Sequence, residues 1–194
     1  MDTVLRRHGC PPCAVEDYRR FVGNGGRELV TRALPGDRQD LADTVLREFR
    51  DTYQDHLCVR TRPYPEVPEL LDRLTARGVP LAVLSNKMQE GTEEVVARLF
   101  GRWSFAAVLG EQEGRPKKPD PAGALLAAAG LGLPPARCVL VGDSAGDLQT
   151  ARRAGMIGVG ALWGYRSRAD LEAAPHHALI ARPLDLLGVL DGLG

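Results

Sequence analysis

Cys138-Val-Leu-Val-Gly-Asp-Ser-Ala-Gly-Asp147 is the stretch of sequence that decides the fold of this chain. Its first four residues form a short apolar run, which is typical of a buried strand. A pattern typical of a helix follows over 145–154 and stops at Gly155. Two carboxylates, Asp143 and Asp147, stand where the helix begins. A strand that runs through polar residues into a helix is the repeating unit of parallel α/β domains, so we expect that fold class here.

The same alternation of apolar runs and amphipathic segments extends in both directions from this stretch. Further strands are predicted at 80–84, 105–109 and 156–162. Further helices are predicted at 66–77, at 89–100, at 121–129 after an Asp120-Pro121 cap, and in a last short helix capped by Ser167. Elements in this order predict a Rossmann-like core, in which a parallel sheet is joined by right-handed crossovers.

The first third of the sequence is predicted to be wholly helical. Helical patterns cover three stretches, at 14–22, 25–34 and 38–56. Arg62-Pro-Tyr-Pro65 then ends the pattern, because prolines so close together cannot continue a helix. We therefore predict a small helical domain over 1–63 and an α/β core over 64–194.

Composition and charge exclude several classes of partner. The chain has 194 residues, with 25 Lys and Arg against 25 Asp and Glu, so no net charge recruits nucleic acid or an anionic membrane. No apolar run has the length of a membrane span, and the first residues do not resemble a secretory signal, so we predict a cytoplasmic protein. Lysine occurs only at positions 87, 117 and 118, which indicates places where a compact ammonium is preferred to the planar group of arginine.

Three groups of polar residues follow predicted strands or lie between them. They are Ser85-Asn86-Lys87, the loop Pro116–Pro121 with its pair of lysines, and Gly142–Asp147. A hydroxyl with backbone amides can hold phosphate oxygens, and a lysine can neutralise charge on a transferring phosphoryl group. Carboxylates are the oxygen ligands that Mg²⁺ prefers. Together the three groups predict a site that hydrolyses a phosphate ester.

Each group also has an ordinary structural explanation. Ser85 alone would be a helix cap, the lysine pair would be a solvated loop, and Asp143 and Asp147 would be a cap and a first-turn acid. The order of the three groups, each beside a strand end of one alternating domain, favours the functional interpretation.

This order resembles motifs two, three and four of the haloacid dehalogenase superfamily, and most closely its phosphoglycolate phosphatase subgroup. Three further stretches resemble the wording of that subgroup, namely Tyr64–Leu71, Ala151–Met156 and Trp163–Ser167. Val22–Leu29 resembles part of the helical cap that closes over the substrate in this family. The similarity covers essentially the whole chain.

The resemblance implies a role for each of five residues. Ser85 and the backbone amide of Asn86 bind phosphoryl oxygens, and Lys118 both binds and stabilises the transferring group. Asp143 is a catalytic residue and a direct Mg²⁺ ligand. Asp147 completes the metal site through water or orients the lysine.

The resemblance also implies the type of reaction, and it allows more than one phosphorylated substrate. The chain is expected to be a Mg²⁺-dependent phosphatase of a small phosphorylated metabolite, with phosphoglycolate as the first expectation and Gly25 and Arg27 of the cap helping to choose the leaving group. The alternatives are a sugar-phosphate phosphatase or mutase of the same superfamily, and a catalytically inactive phosphate-binding regulatory protein. Both a monomer and a homodimer remain open.

The first motif of the family, Asp-x-Asp-Gly-Thr at the end of a strand, has no counterpart here. In the family its first Asp attacks phosphorus and its second acts as acid and base. Neither Asp2 nor Asp191 stands two residues from another aspartate. The opening Met1–Pro11 resembles the middle of the first cap helix. We therefore expect a start at an internal methionine, through a mis-assigned start or a truncated gene, with the nucleophile upstream.

The missing motif predicts a structural defect as well. In the resembled fold its strand lies between the strands that end at Leu84 and Val141. Each backbone group left unpaired at those edges would cost about 1–3 kcal/mol, against a total stability of about 5–15 kcal/mol. We expect the chain alone to be inactive, and to be poorly folded or to associate through its open edges.

Overall fold

The computed structural model describes residues 1–193, and its first third is helical. Four helices occur there: α1 (Asp2–Arg7), α2 (Val15–Phe21), α3 (Gly26–Ala33) and α4 (Ala42–His56). A 3₁₀ turn, Gly36–Leu41, leads directly into α4. Their apolar faces share one core, whose fully buried members are Val4, Leu5, Val30 and Val45. The helical character predicted for this part is confirmed, while the boundary at 63 and 64 stays a prediction.

Strands and helices alternate over the rest of the chain. The strands are β1 (Ala82–Met88), β2 (Ala107–Glu111), β3 (Val139–Gly142), β4 (Ile157–Ala161) and β5 (Ala178–Ile180). The helices are α5 (Val67–Ala76), α6 (Gln89–Phe100), α7 (Ala122–Leu131), α8 (Ala145–Ala154), α9 (Arg168–Glu172) and α10 (Asp185–Asp191). Every strand pair is parallel, which confirms the predicted α/β class.

The strands form two separate sheets within the described part of the chain. One sheet contains β1 and β2, and the other has the order β3, β4, β5. An apolar groove of about 400 Å³ lies between β1 and β3, and its walls include Leu84 and Val139. Val141 in the middle of β3 is 39% exposed, although a central strand normally buries such a side chain. β1 and β3 thus face each other across this groove without pairing, as the resemblance implies for a fold that lacks the strand between them.

Several details of the predicted elements need correction. The strand predicted at 80–84 runs from Ala82 to Met88, and the strand predicted at 105–109 runs from Ala107 to Glu111. The helix after Asp120 begins at Ala122, and the Asp120 carboxylate accepts a hydrogen bond from the Ala122 N–H at 2.9 Å. Ser167 does cap α9, in a capping box with Asp170, but α9 is not the last helix. The three-residue β5 and the helix α10 follow it, because elements this short show no readable periodicity.

None of the helices in the described part of the chain has the length and apolar character needed to span a membrane.

Candidate active site

An irregularity in β1 presents the first group of polar residues. Leu84 pairs with Leu109 of β2, and Met88 pairs with Glu111, so four steps along β1 correspond to two along β2. Ser85, Asn86 and Lys87 therefore leave the regular ladder, as residues of a β-bulge do beside many active sites. The backbone N–H of Lys87 donates to the Ser85 hydroxyl oxygen at 3.0 Å, which fixes the position of the hydroxyl.

The side chain of Asn86 holds three segments together. Its amide nitrogen donates to the carbonyl oxygens of Gly23 at 3.0 Å and of Lys118 at 3.1 Å. Its amide oxygen accepts from the backbone N–H of Lys118 at 2.9 Å. Asn86 is only 9% exposed, so these bonds satisfy polar atoms that water does not reach freely. The sequence predicted a phosphate contact for the backbone amide of Asn86 and missed this structural role of the side chain.

Lys118 and Asp147 form a close ion pair at the same strand ends. The ammonium of Lys118 lies 2.6 Å from Oδ1 of Asp147 and also donates to the carbonyl oxygen of Leu84 at 3.0 Å. Their side chains are 15% and 8% exposed, so solvent screens the pair little. Oδ2 of Asp147 accepts from both the N–H and the hydroxyl of Ser144, at 3.0 and 2.6 Å. Both carboxylate oxygens thus meet donors of the chain, which favours the lysine-orienting role over metal ligation.

Two glycines allow the carboxylates to sit where they do. A Cβ at position 142 would lie 2.2 Å from the Cβ of Asp147, and a Cβ at position 164 would lie 2.1 Å from the Cβ of Asp143. No larger residue fits either position without moving the aspartate. Gly142 is therefore required because Asp147 approaches it closely, and not only because a turn follows it.

Asp143 is the carboxylate best placed to hold Mg²⁺. Its Oδ2 accepts from the backbone N–H of Tyr165 at 2.8 Å. Mg²⁺ in phosphate sites is commonly bound through one or two carboxylates, substrate phosphate and water. Residues 1–193 contain no cluster of three or more His, Cys, Asp or Glu side chains that could hold a metal ion. Asp143 fits as one hard ligand, and the described residues supply only part of such a site.

The three lysines of the chain lie at or beside these strand ends. Lys87 and Lys118 line a cavity there. Lys117 pairs with Glu111 at 3.1 Å, behind the loop that contains Gly25. Lys117 thus lies beside the cavity and is not one of its lining residues.

The structure brings one of the two predicted cap residues to the site. Gly25 lines the cavity and has a φ of 92°, a backbone conformation that favours glycine. A Cβ on it would lie 2.8 Å from the Lys117 ammonium. Arg27 is not among the lining residues, because its exposed guanidinium pairs with Asp43 of α4 at 2.5 Å. The arrangement gives no support to the predicted role of Arg27 in choosing the leaving group.

A cavity of about 440 Å³ lies between the helical first third and the strand ends. Ser85, Asn86, Lys118, Asp143 and Asp147, the five core residues predicted from the sequence, all line it. It also contains residues that the sequence did not single out for the site, namely Arg50, Tyr53, Tyr165 and Arg166.

Arg166 ties the two parts of the chain together beside this cavity. Its guanidinium donates to the carbonyl oxygens of Arg19, Arg20 and Val22, at 3.3, 3.4 and 2.8 Å. The carbonyls at the end of a helix lack partners within the helix, and arginine is well suited to satisfy them. The position of Arg166 in Trp163–Ser167, which resembles the subgroup, was the only signal in the sequence.

Tyr64 lies beside Asp143, where the helical part meets the α/β part. Burial raises the pKa of its phenol, and the neighbouring Tyr165 and Asp143 raise it further. The phenol therefore remains a hydrogen-bond donor at neutral pH.

Comparisons with known proteins agree with this geometry. Residues 5–155 match the haloacid dehalogenase-like hydrolase family. The phosphoglycolate phosphatase of Neisseria meningitidis is 37% identical over 169 residues, which cover 84% of this chain and 72% of that protein. The N-acetylmuramic acid 6-phosphate phosphatase of Pseudomonas aeruginosa is 33% identical over 191 residues, which cover 95% and 82%.

A solved structure shows the same fold. The crystal structure of a predicted phosphoglycolate phosphatase from Haemophilus somnus 129pt has a TM-score of 0.86 and 27% identity, and the match covers 97% of this chain and 87% of that one. Three predicted motifs at one edge of a parallel α/β core, a family match over most of the chain and close relatives that are phosphatases point the same way. The chain belongs to the haloacid dehalogenase-like hydrolase family and is related to phosphoric monoester hydrolases.

Proposed function

We propose that this chain binds the phosphoryl group of a small phosphate monoester between Ser85, Asn86 and Lys118 and serves its hydrolysis. The observation that carries the proposal is the ammonium of Lys118, held 2.6 Å from Asp147 and 3.0 Å from the carbonyl oxygen of Leu84. Leu84 directly precedes Ser85, so the positive charge of Lys118 is held beside the segment that carries the Ser85 hydroxyl. Phosphoryl-transfer enzymes stabilise the transition state mainly by positive charges that are already in position around the phosphoryl group.

Each residue has a part in this chemistry. The Ser85 hydroxyl and the backbone N–H of Asn86 donate to two phosphoryl oxygens, and Lys118 neutralises the charge that develops on the third. Asp147 fixes the position of the Lys118 ammonium through a charge-assisted hydrogen bond of 2.6 Å. Asp143 would hold Mg²⁺, which when bound supplies further positive charge beside the phosphoryl oxygens.

Attack on phosphorus needs a nucleophile that these residues do not supply. No two aspartates of the 194 residues stand two positions apart, so the Asp-x-Asp pair of the family is absent from them. We propose that residues 1–194 alone do not turn over substrate, and that the aspartyl nucleophile comes from a strand outside them. That strand would enter the apolar groove between β1 and β3, beside Lys118.

Phosphoglycolate is the substrate that we propose first. It is the substrate named for the N. meningitidis relative. A sugar phosphate is the second candidate, because the P. aeruginosa relative acts on N-acetylmuramic acid 6-phosphate and covers nearly the whole chain. A phosphate-binding protein without catalysis would also lack the Asp pair. It would have no need, however, for Lys118, Asp143 and Asp147 in one arrangement.

Hydrolysis of a generic aryl phosphate with Mg²⁺ tests the proposal. The chain is compared with a version that carries an added N-terminal strand ending in Asp-x-Asp-Gly-Thr. We expect activity only in the longer version, and a loss of at least 100-fold when Asp143 becomes Asn or Lys118 becomes Met. Activity in residues 1–194 would mean that another nucleophile exists, and the assignment would have to be withdrawn.

A further inference from the structure

Lys87 lies in the cavity without an assigned role. It stands two residues after Ser85 on β1, and both residues line the cavity. Its aliphatic stem passes close to α6, since a Cβ on Gly91 would lie 3.5 Å from the Cδ of Lys87. Its ammonium donates to the hydroxyl of Tyr53 and lies 4.5 Å from the centre of the Tyr53 ring. Because Tyr53 belongs to α4, Lys87 bridges the helical and α/β parts of the chain.

The ammonium of Lys87 differs from those of the other two lysines. Lys118 is paired with Asp147 and Lys117 with Glu111, whereas no carboxylate of residues 1–193 forms an ion pair with Lys87. Its hydrogen-bond partner is the hydroxyl of Tyr53. A half-buried positive charge without a counterion is costly, and an anion that enters the cavity removes that cost.

The distribution of charge in the cavity also favours an anion near Lys87. Its two carboxylates within the described chain are Asp143 and Asp147, and both lie at the strand ends beside Lys118. At the α4 side the lining includes Arg50, which is exposed and has no ion-pair partner among residues 1–193. The end of the cavity away from the phosphoryl site is thus positive.

We infer that Lys87, supported by Tyr53, binds a carboxylate on the leaving group and so selects phosphate esters of short hydroxy acids. The inference rests on the proposed function, since it takes Ser85 and Lys118 as the phosphoryl site. Ser85 and Lys87 are separated by one residue on β1 and line the same cavity. A short ester can therefore present its phosphoryl group to Ser85 and its carboxylate to Lys87. Arg50 adds positive charge at the cavity mouth and draws the anion in.

Two phosphonates, which have a C–P bond in place of the ester bond, test this assignment. 3-Phosphonopropionate carries a phosphonate and a carboxylate, and propylphosphonate has a methyl group in place of the carboxylate. Titration calorimetry of the full chain with Mg²⁺ is expected to show binding of 3-phosphonopropionate at least tenfold tighter than of propylphosphonate. Lys87→Met should abolish this difference and leave the affinity for propylphosphonate within twofold. Lys87→Arg should keep most of the difference.

Each control separates one failure from another. Arg152→Gln removes an exposed positive charge from the outer side of α8 and should leave both affinities unchanged. Equal binding of the two probes to the wild-type chain would overturn the carboxylate site while leaving the phosphoryl site intact. No binding of either probe would overturn both the site and the proposed function. A loss of both affinities in Lys87→Met, with unchanged melting temperature, would assign Lys87 to the phosphoryl group instead.

Discussion

The side-chain amide of Asn86 donates a hydrogen bond to the backbone carbonyl of Gly23 at 3.0 Å. Gly23 precedes α3 in the helical part, and Asn86 lies on β1 of the α/β part, 63 residues later. The same side chain holds the backbone of Lys118. The buried amide of Asn86 thus couples the position of the helical part over the cavity to the position of Lys118.

Replacing Asn86 by alanine should weaken phosphate binding and stability together. The change removes three hydrogen bonds and leaves the N–H of Lys118 without its partner. We expect the affinity for inorganic phosphate to fall at least tenfold, and the free energy of unfolding to fall by about 1–3 kcal/mol. Calorimetry and urea unfolding measure the two effects. Asn24→Ala, which removes an exposed amide from the same cap loop, should change stability by less than about 0.5 kcal/mol. Equal effects of the two variants would contradict the coupling.

Replacing Asp147 by asparagine should be strongly destabilising. The side chains of Lys118 and Asp147 are 15% and 8% exposed, so the variant leaves a largely buried ammonium without its counterion. Breaking a buried pair in this way costs about 3–5 kcal/mol. Glu69→Gln is the matched control, because Glu69 and Arg73 form a surface pair with side chains 51% and 55% exposed, and such pairs contribute about 0–1 kcal/mol. Urea denaturation compares the two, and similar losses would show that burial does not strengthen the Lys118 pair.

Replacing Gly142 by alanine should displace Asp147. A Cβ there would lie 2.2 Å from the Cβ of Asp147, which is shorter than any relaxed contact. We expect a loss of about 1–3 kcal/mol from overpacking, and a weaker affinity for phosphate as Lys118 loses its partner. Gly188→Ala in α10 provides the opposite case, since a Cβ there meets nothing within 4 Å and alanine favours a helix by about 1 kcal/mol. Thermal melts of both variants give the comparison, and a stable Gly142→Ala chain with wild-type phosphate affinity would refute the steric argument.

The open edges of β1 and β3 should make residues 1–194 associate when produced alone. Val141 on β3 is 39% exposed at the groove, and strand edges with exposed apolar residues pair with other chains. We expect concentration-dependent association by light scattering after size exclusion, and we expect Val141→Lys to reduce it by placing a charge at the edge. Val15→Lys also removes an exposed valine, 70% exposed on α2, but away from any strand. An equal reduction by Val15→Lys would show that association is not through the strand edges.

Local sequence determined the elements that depend on neighbouring residues. The capping boxes at Ser144 with Asp147 and at Ser167 with Asp170 join residues three apart. The helix predicted at 145–154 has those bounds in the structure, and Ser167 caps a short helix as predicted. The order of the three polar groups along an alternating chain was enough to predict both the fold class and the position of the site at the strand ends. The absence of an Asp-x-Asp pair is a fact of the sequence alone.

Contacts between distant residues were decided only by the tertiary structure. Whether Asp147 faces a metal or Lys118 depends on a loop 29 residues earlier, and the partner of Lys87 is Tyr53, 34 residues away. The guanidinium of Arg27 pairs with Asp43 and does not line the cavity. The position of Arg27 along α3 does not predict this partner. The irregular pairing that aims Ser85 and Lys87 comes from the register of β1 against β2. Periodicity reports which side of an element is buried, whereas register and side-chain pairing depend on how separate elements pack, and that information is not local.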